Sequence, residues 1–143
     1  MSKVSTHKVM IHKSIRDSMR DYVARNVYNK RQHDSFYVGY LGEIVAAAYL
    51  GVEWNDPGYS QRDLVDEYGT RYQVKTVREG LNKRKLWCEK AANEGFDRYI
   101  FVVLDENDEF GEVVGDMSKS LVDANSHDFN HRGEKLPCLN RVL

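Results

Sequence analysis

Cysteine and proline are both scarce in this chain, with two of each among 143 residues. Two thiols, Cys88 and Cys138, are too few for a disulfide framework. The opening stretch "MSKVSTHKVMIHK" also lacks the continuous apolar core of an export signal, so the expectation is reduced core thiols in a cytoplasmic protein. No apolar run approaches the ~18–20 residues of a membrane span. The longest, "IVAAAYL", suits a buried helix face, and no membrane association is expected. Repeats, linkers and low-complexity tracts are missing as well. So are the glycine-rich phosphate loop and the G-x-S-x-G elbow, which removes two large enzyme classes from consideration.

What is present is an ordinary folding composition, 41% hydrophobic and 30% charged. The length suits a single domain over residues 1–143, with 1–34 as a basic helical extension packed on it. The net charge of −1 conceals a pattern. Residues 1–33 hold eight Lys/Arg against two acids, and residues 34–70 hold one against seven. Residues 71–90 then hold seven against two, and residues 91–143 five against eleven. Two basic blocks that met on one face could hold a polyanion; otherwise they are solvated helix faces.

Ser14 can cap a helix to about Arg31, with Ile15, Met19, Tyr22, Val23 and Val27 at helical spacing. Ser35 can cap a second, "FYVGYLGEIVAAAYLG", stopped by Gly51 in a left-handed cap. "VEW" allows a short strand. "QRDLVDEY" and "TRYQVKTV" predict a hairpin with Gly69 in the turn. Residues 86–94 suggest a short helix, "RYIFVVLD" a strand buried on both faces, and "FGEVVGDM" its neighbour. A short helix over "SKSLVDAN" and a last strand or hook over "KLPCLNRVL" complete an α/β chain with a central mixed sheet flanked by helices.

One group of residues stands out chemically. Gln73 and Lys75 lie two apart on a strand and so share a face, while Tyr72, Val74 and Thr76 take the other. Asp63 stands on the partner strand of the hairpin, ten positions before Gln73. Glu43 interrupts an otherwise apolar helix, where a carboxylate is costly unless paired or bound to a cation. A carboxylate and an amide oxygen are hard ligands suited to Mg²⁺, with Mn²⁺ as substitute. Such an ion can activate water and neutralise a phosphodiester transition state, with Lys75 orienting the water or stabilising charge. Arg71, Arg78, Lys83, Arg84 and Lys85 flank this group. Together with Arg16, Arg20 and Lys30 they are the candidate phosphate contacts.

Asp63, then Gln73-Val74-Lys75, with Glu43 on a preceding helix, resembles the PD-(D/E)XK nuclease superfamily over roughly residues 36–120. The resemblance implies a restriction-endonuclease-like αβββαβ core, with an extra N-terminal helix here. It implies a metal-dependent DNA endonuclease in which Asp63, Gln73 and the Val74 carbonyl hold Mg²⁺, Glu43 supports the ion, and Lys75 serves the reaction. Two departures are visible. Gln73 replaces the acidic residue, as in some superfamily members that pair Gln with a helix glutamate, and Arg62 stands where a proline often precedes the aspartate. The resemblance also admits a four-way-junction resolving enzyme, which would act as a homodimer, and a catalytically inactive module that binds DNA or protein. The overall impression is of a stand-alone, phage-like or bacterial protein.

Each residue has a plainer alternative. Lys75 could guard an edge strand, Asp63 could cap a turn, and Glu43 could pair with a core arginine. Trp87 and Tyr72 suit packing. His127 and His131 in "HDFNH" have zinc-binding spacing only if that segment is helical, and surface histidines are the better reading.

Overall fold

A computed structural model describes residues 7–54, 64–79, 85–87, 96–125, 127–131 and 134–140. Its centre is a five-stranded mixed sheet made from β1 (His7–Met10), β2 (Leu64–Val65), β3 (Arg71–Arg78), β5 (Arg98–Leu104) and β6 (Phe110–Ser118). The spatial order is β1-β6-β5-β3-β2. β5 runs parallel to β3 and antiparallel to β6. This explains its sequence: a strand with neighbours on both sides and cover on both faces must be apolar at every position, and Tyr99 to Leu104 are all buried.

Among the described residues three α-helices accompany the sheet: α1 (Lys13–Asn26), α2 (His33–Leu50) and the short α3 (Lys119–Asn125). α2 buries Tyr37, Leu41, Val45, Ala46 and Ala47 in one cluster with Tyr72, Ile100, Val102 and Leu104. Each fully buried large aliphatic or aromatic side chain contributes about 1.5–3 kcal/mol, which makes this face the main source of stability. Val23 of α1 joins the same cluster, with Ile15, Met19 and Val27 packed against it. A smaller cluster occupies the opposite face: Tyr99, Phe101, Val103, Val114 and Val122, the last from α3.

The contact between α2 and the sheet is unusually close at two points. A Cβ on Gly42 would lie 1.7 Å from Thr76 Oγ1, and one on Gly111 would lie 2.4 Å from Val45 Cγ2. The helix therefore seats on the sheet only because a glycine stands at each crossing. This accounts for a glycine kept in a helix despite its cost of about 1 kcal/mol relative to Ala.

Several expectations hold. Gly51 closes α2 at φ +71°, Gly69 takes φ +81° in the hairpin turn, and β5 is the doubly covered strand. Others are corrected. The first helix ends at Asn26 rather than near Arg31, because Val27 is extended and a one-turn 3₁₀ helix, Lys30–Gln32, intervenes. α2 starts at His33, two residues before the expected Ser35 cap. "VEW" pairs with no strand. Leu86 and Trp87, expected in a helix, belong to β4 (Lys85–Trp87). β4 pairs with β8 (Glu134–Asn140), which pairs with β7 (His127–His131), in a second sheet of order β4-β8-β7. Because "HDFNH" is a strand, His127 and His131 lack the helical i,i+4 proximity that a zinc pair needs. No described helix is long and apolar enough to cross a membrane.

Candidate metal and nucleic-acid site

The hairpin that carries the site is built around one carboxylate. Asp66 Oδ1 accepts the backbone N–H of Tyr68 and of Thr70, both at 2.9 Å, and Oδ2 accepts the Tyr72 hydroxyl at 3.0 Å. Burial alone would raise the Asp66 pKa, but the hydrogen bonds from Thr70, Tyr68 and Tyr72 outweigh it and hold the carboxyl below its ordinary range. Burial and the same aspartate push the Tyr72 phenol up to about 12. Asp66 is thus the clasp of the turn. A short acidic side chain two and four residues before amides in a tight turn is a legible signal for that role.

Beyond the turn the alternation along β3 is regular. Tyr72 and Val74 pack into the α2 cluster, and Thr76 meets Gly42. Gln73 and Lys75 therefore point to the opposite face, next to Tyr99 and Phe101, their partners on β5. That face is partly covered: Gln73 and Lys75 are half-buried, and the Tyr99 and Phe101 rings stack with centroids 6.0 Å apart. The Gln73 amide oxygen is buried and has no hydrogen-bond partner among the described residues, a state it shares with Tyr37 Oη, Trp54 Nε1 and Thr76 Oγ1. An orphaned buried carbonyl oxygen costs about 1–3 kcal/mol, so this atom calls for a partner. An amide oxygen is a ligand type that Mg²⁺ and Mn²⁺ accept, so the donor fits the ion the sequence implied.

The other expected ligands are placed less fully. Asp63 lies outside the described residues. Its chain neighbour Leu64 pairs with Tyr72, the residue next to Gln73. Glu43 follows Gly42, so it sits on the turn of α2 that approaches β3 most closely, one residue from the crossing at Thr76. α2 nevertheless packs on the Tyr72–Val74–Thr76 face, across the sheet from Gln73 and Lys75.

The candidate phosphate contacts separate into different settings. Arg78 is committed elsewhere: Nε and Nη2 donate to Asp108 Oδ1 and Oδ2 at 2.9 Å, and Nη1 and Nη2 donate to Asp34 at 2.9 and 3.0 Å. Its side chain is 17% exposed, and the bonds to Asp108 and Asp34 raise its pKa further. This is a structural latch that ties β3, α2 and the β5–β6 turn together. Arg20 joins it, with its guanidinium 4.2 Å from the centre of the Tyr37 ring and 4.0 Å from Asp108. Arg16 donates to the Ile11 carbonyl at 3.3 Å. Arg16, Arg20 and Arg78 thus share the α2 face and do not join the basic block around Lys75. Arg71 lies on the Gln73–Lys75 face of β3, its guanidinium 5.8 Å from the centre of the Phe96 ring. Lys30 is exposed in the 3₁₀ turn. Lys85 belongs to β4, and Lys83 and Arg84 lie outside the described residues.

Sequence reasoning missed the acids of these latches. Asp108 is 3% exposed and adopts φ +59°, a left-handed turn conformation that aspartate tolerates better than most residues. At the other end of the sheet, Asp116 accepts Arg98 Nε and the Tyr49 hydroxyl, both at 2.9 Å. Nothing local announces either pairing, since the partners are 18 to 67 positions away. Compared with protein-family models and with curated proteins, the chain matches none.

Proposed function

We propose that this protein is a metal-dependent DNA endonuclease, with the site on the Gln73–Lys75 face of β3. The observation that carries the reading is the buried, unpartnered Gln73 amide oxygen, two residues from a half-buried lysine on the same face. Three other buried polar atoms among the described residues also lack partners, but only this one is an amide oxygen, a ligand type that a hard cation accepts, beside a lysine. Asp63 and Gln73, with the Val74 carbonyl, would hold Mg²⁺ or Mn²⁺, without Glu43, whose helix packs on the other face of the sheet. The ion, when bound, supplies charge neutralisation at the phosphodiester and a more acidic water. Lys75 would donate a hydrogen bond to a non-bridging phosphate oxygen, holding the scissile phosphate in line for attack.

The finer fold reading, a restriction-endonuclease-like core, is supported by the order of elements. A helix, α2, precedes an antiparallel hairpin, β2–β3, and the next sheet strand, β5, returns parallel to β3.

The test is supercoiled plasmid and a four-way junction, each incubated with wild type, Lys75→Ala and Asp63→Ala in Mg²⁺, Mn²⁺ or EDTA. The expected result is cleavage by wild type that needs the metal and is lost in both variants. Cleavage by Lys75→Ala at the wild-type rate would overturn the assignment. Cleavage of the junction alone would identify a resolving enzyme. Binding with no cleavage in any metal would leave the inactive module, the reading favoured by a neutral Gln73.

A further inference from the structure

Most described arginines are already spoken for. Arg16, Arg20, Arg25, Arg78 and Arg98 each bond a carbonyl, a carboxylate or a ring, and Arg71 has the Phe96 ring beside it. Arg31 differs. Among the described residues it and its neighbour Lys30 form no ion pair, and both are exposed. Two positions before Lys30 stands Tyr28, the most exposed of the large hydrophobic residues among those described.

A lone surface tyrosine needs no explanation. This one is displayed by a fixed backbone. On one side the Val27 N–H bonds the Val23 carbonyl at 2.9 Å, and the Val27 carbonyl accepts from His33 Nε2 at 2.7 Å. On the other, Asn29 accepts the N–H of Arg31 through its side chain at 3.0 Å and the N–H of Gln32 through its carbonyl at 2.9 Å. The loop is also anchored to the site strand, because Asp34 at the start of α2 bonds Arg78, three residues past Lys75. An exposed aromatic on a hydrogen-bonded stretch of backbone, beside two cations without an ion pair among the described residues, combines a stacking surface with a phosphate grip, the two components of single-strand recognition.

We propose that the Tyr28–Arg31 loop binds DNA with accessible base faces, such as a single strand or a branch point. Tyr28 stacks on an unpaired base, and Lys30 and Arg31 contact the adjoining phosphates. Bases inside a duplex offer no free face, so the loop makes blunt duplex the poorer ligand. The proposal rests on the nucleic-acid part of the function above and not on its chemistry.

The test is fluorescence anisotropy in EDTA, where no cleavage occurs, on three labelled probes: a single strand, its blunt duplex, and the duplex with a short single-stranded flap. Wild type should bind the single strand and the flap more tightly than the blunt duplex. Tyr28→Ala should weaken those two by about 10-fold or more and leave the blunt duplex unchanged, while Tyr28→Phe should keep wild-type affinity. Lys30→Ala/Arg31→Ala should lower the salt slope of single-strand binding by about 1.4, at about 0.7 per phosphate contact. Equal binding of all three probes by wild type, or an unchanged single strand affinity in Tyr28→Ala, would overturn the proposal, as would no binding at all. Tyr28-dependent binding by a wild type that cleaves nothing would sink the nuclease chemistry and leave this inference standing.

Discussion

The two faces of β3 are built on opposite plans. On the face toward α2 the charged groups are used up within the fold: Arg78 with Asp34 and Asp108, Arg98 with Asp116, and Tyr72 with Asp66. On the other, Gln73 leaves an amide oxygen unbonded, and Lys75 has no ion pair among the described residues. Residues that alternate one by one along a single strand thus serve different ends. The even positions carry the ion-paired Arg78 and the hydrogen-bonded Tyr72, although the Thr76 hydroxyl under Gly42 is also buried without a partner among the described residues, and the odd ones carry Gln73 and Lys75. A buried group without a partner destabilises the fold, and such groups are retained where a ligand supplies the missing bond.

The sharpest way to break this contrast is to exchange the effects of the two faces. Lys75→Ala should lower the cleavage rate by about 10²–10³-fold, the size of effect that follows loss of one charge-stabilising donor. Its thermal melt should remain close to wild type, and a large drop in Tm would place Lys75 with the structural residues. Arg78→Ala should do the reverse. It leaves Asp108 buried with only Arg20 at 4.0 Å to face it, which costs about 3 kcal/mol of stability in urea unfolding, while cleavage by the folded fraction persists. Arg78→Lys should recover part of that loss, because it returns the charge without the two-pronged geometry.

Gly42→Ala comes next in size. The added methyl meets Thr76, and overpacking of this kind costs about 1–3 kcal/mol, from which about 1 kcal/mol of gained helix propensity is to be subtracted. A net gain in Tm would mean that α2 shifts on the sheet more easily than the crossing implies. The smallest effect concerns acid. Asp66 has a folded pKa below its unfolded value, so its contribution is present in full above the unfolded value of about 3.9 and fades as pH falls through the folded one. Asp66→Asn should therefore flatten the fall in stability below about pH 4 and leave its shape near neutrality unchanged, as followed by urea midpoints across that range.

The readable parts of the molecule were those fixed by short-range rules. The alternation along "RYQVKTV" assigned Gln73 and Lys75 to one face, and Gly51 and Gly69 marked the two positive-φ positions that end α2 and turn the hairpin. The unbroken apolar run of β5 identified the central strand. What escaped depends on distance in sequence. Arg78 looked like a phosphate contact because its partner Asp108 is 30 positions away. β1 has one partly buried residue, Val9, among three exposed ones, too little pattern for a strand. "HDFNH" is polar, and its strand identity comes from pairing with β8. The site itself was legible as a pair of residues on one face, while the unbonded state of the Gln73 oxygen required the surrounding side chains.

The pairing of β1 with β6 also bears on how the protein is made. His7–Met10 lies against Phe110–Val113, so β1 leaves the ribosome about a hundred residues ahead of its partner strand. α1 and α2 can form early from local contacts, but the β1 edge must wait for nearly the whole central sheet. A strand as short and polar as "HKVM" tolerates that delay: it has little apolar surface to attract another chain while it is unpaired.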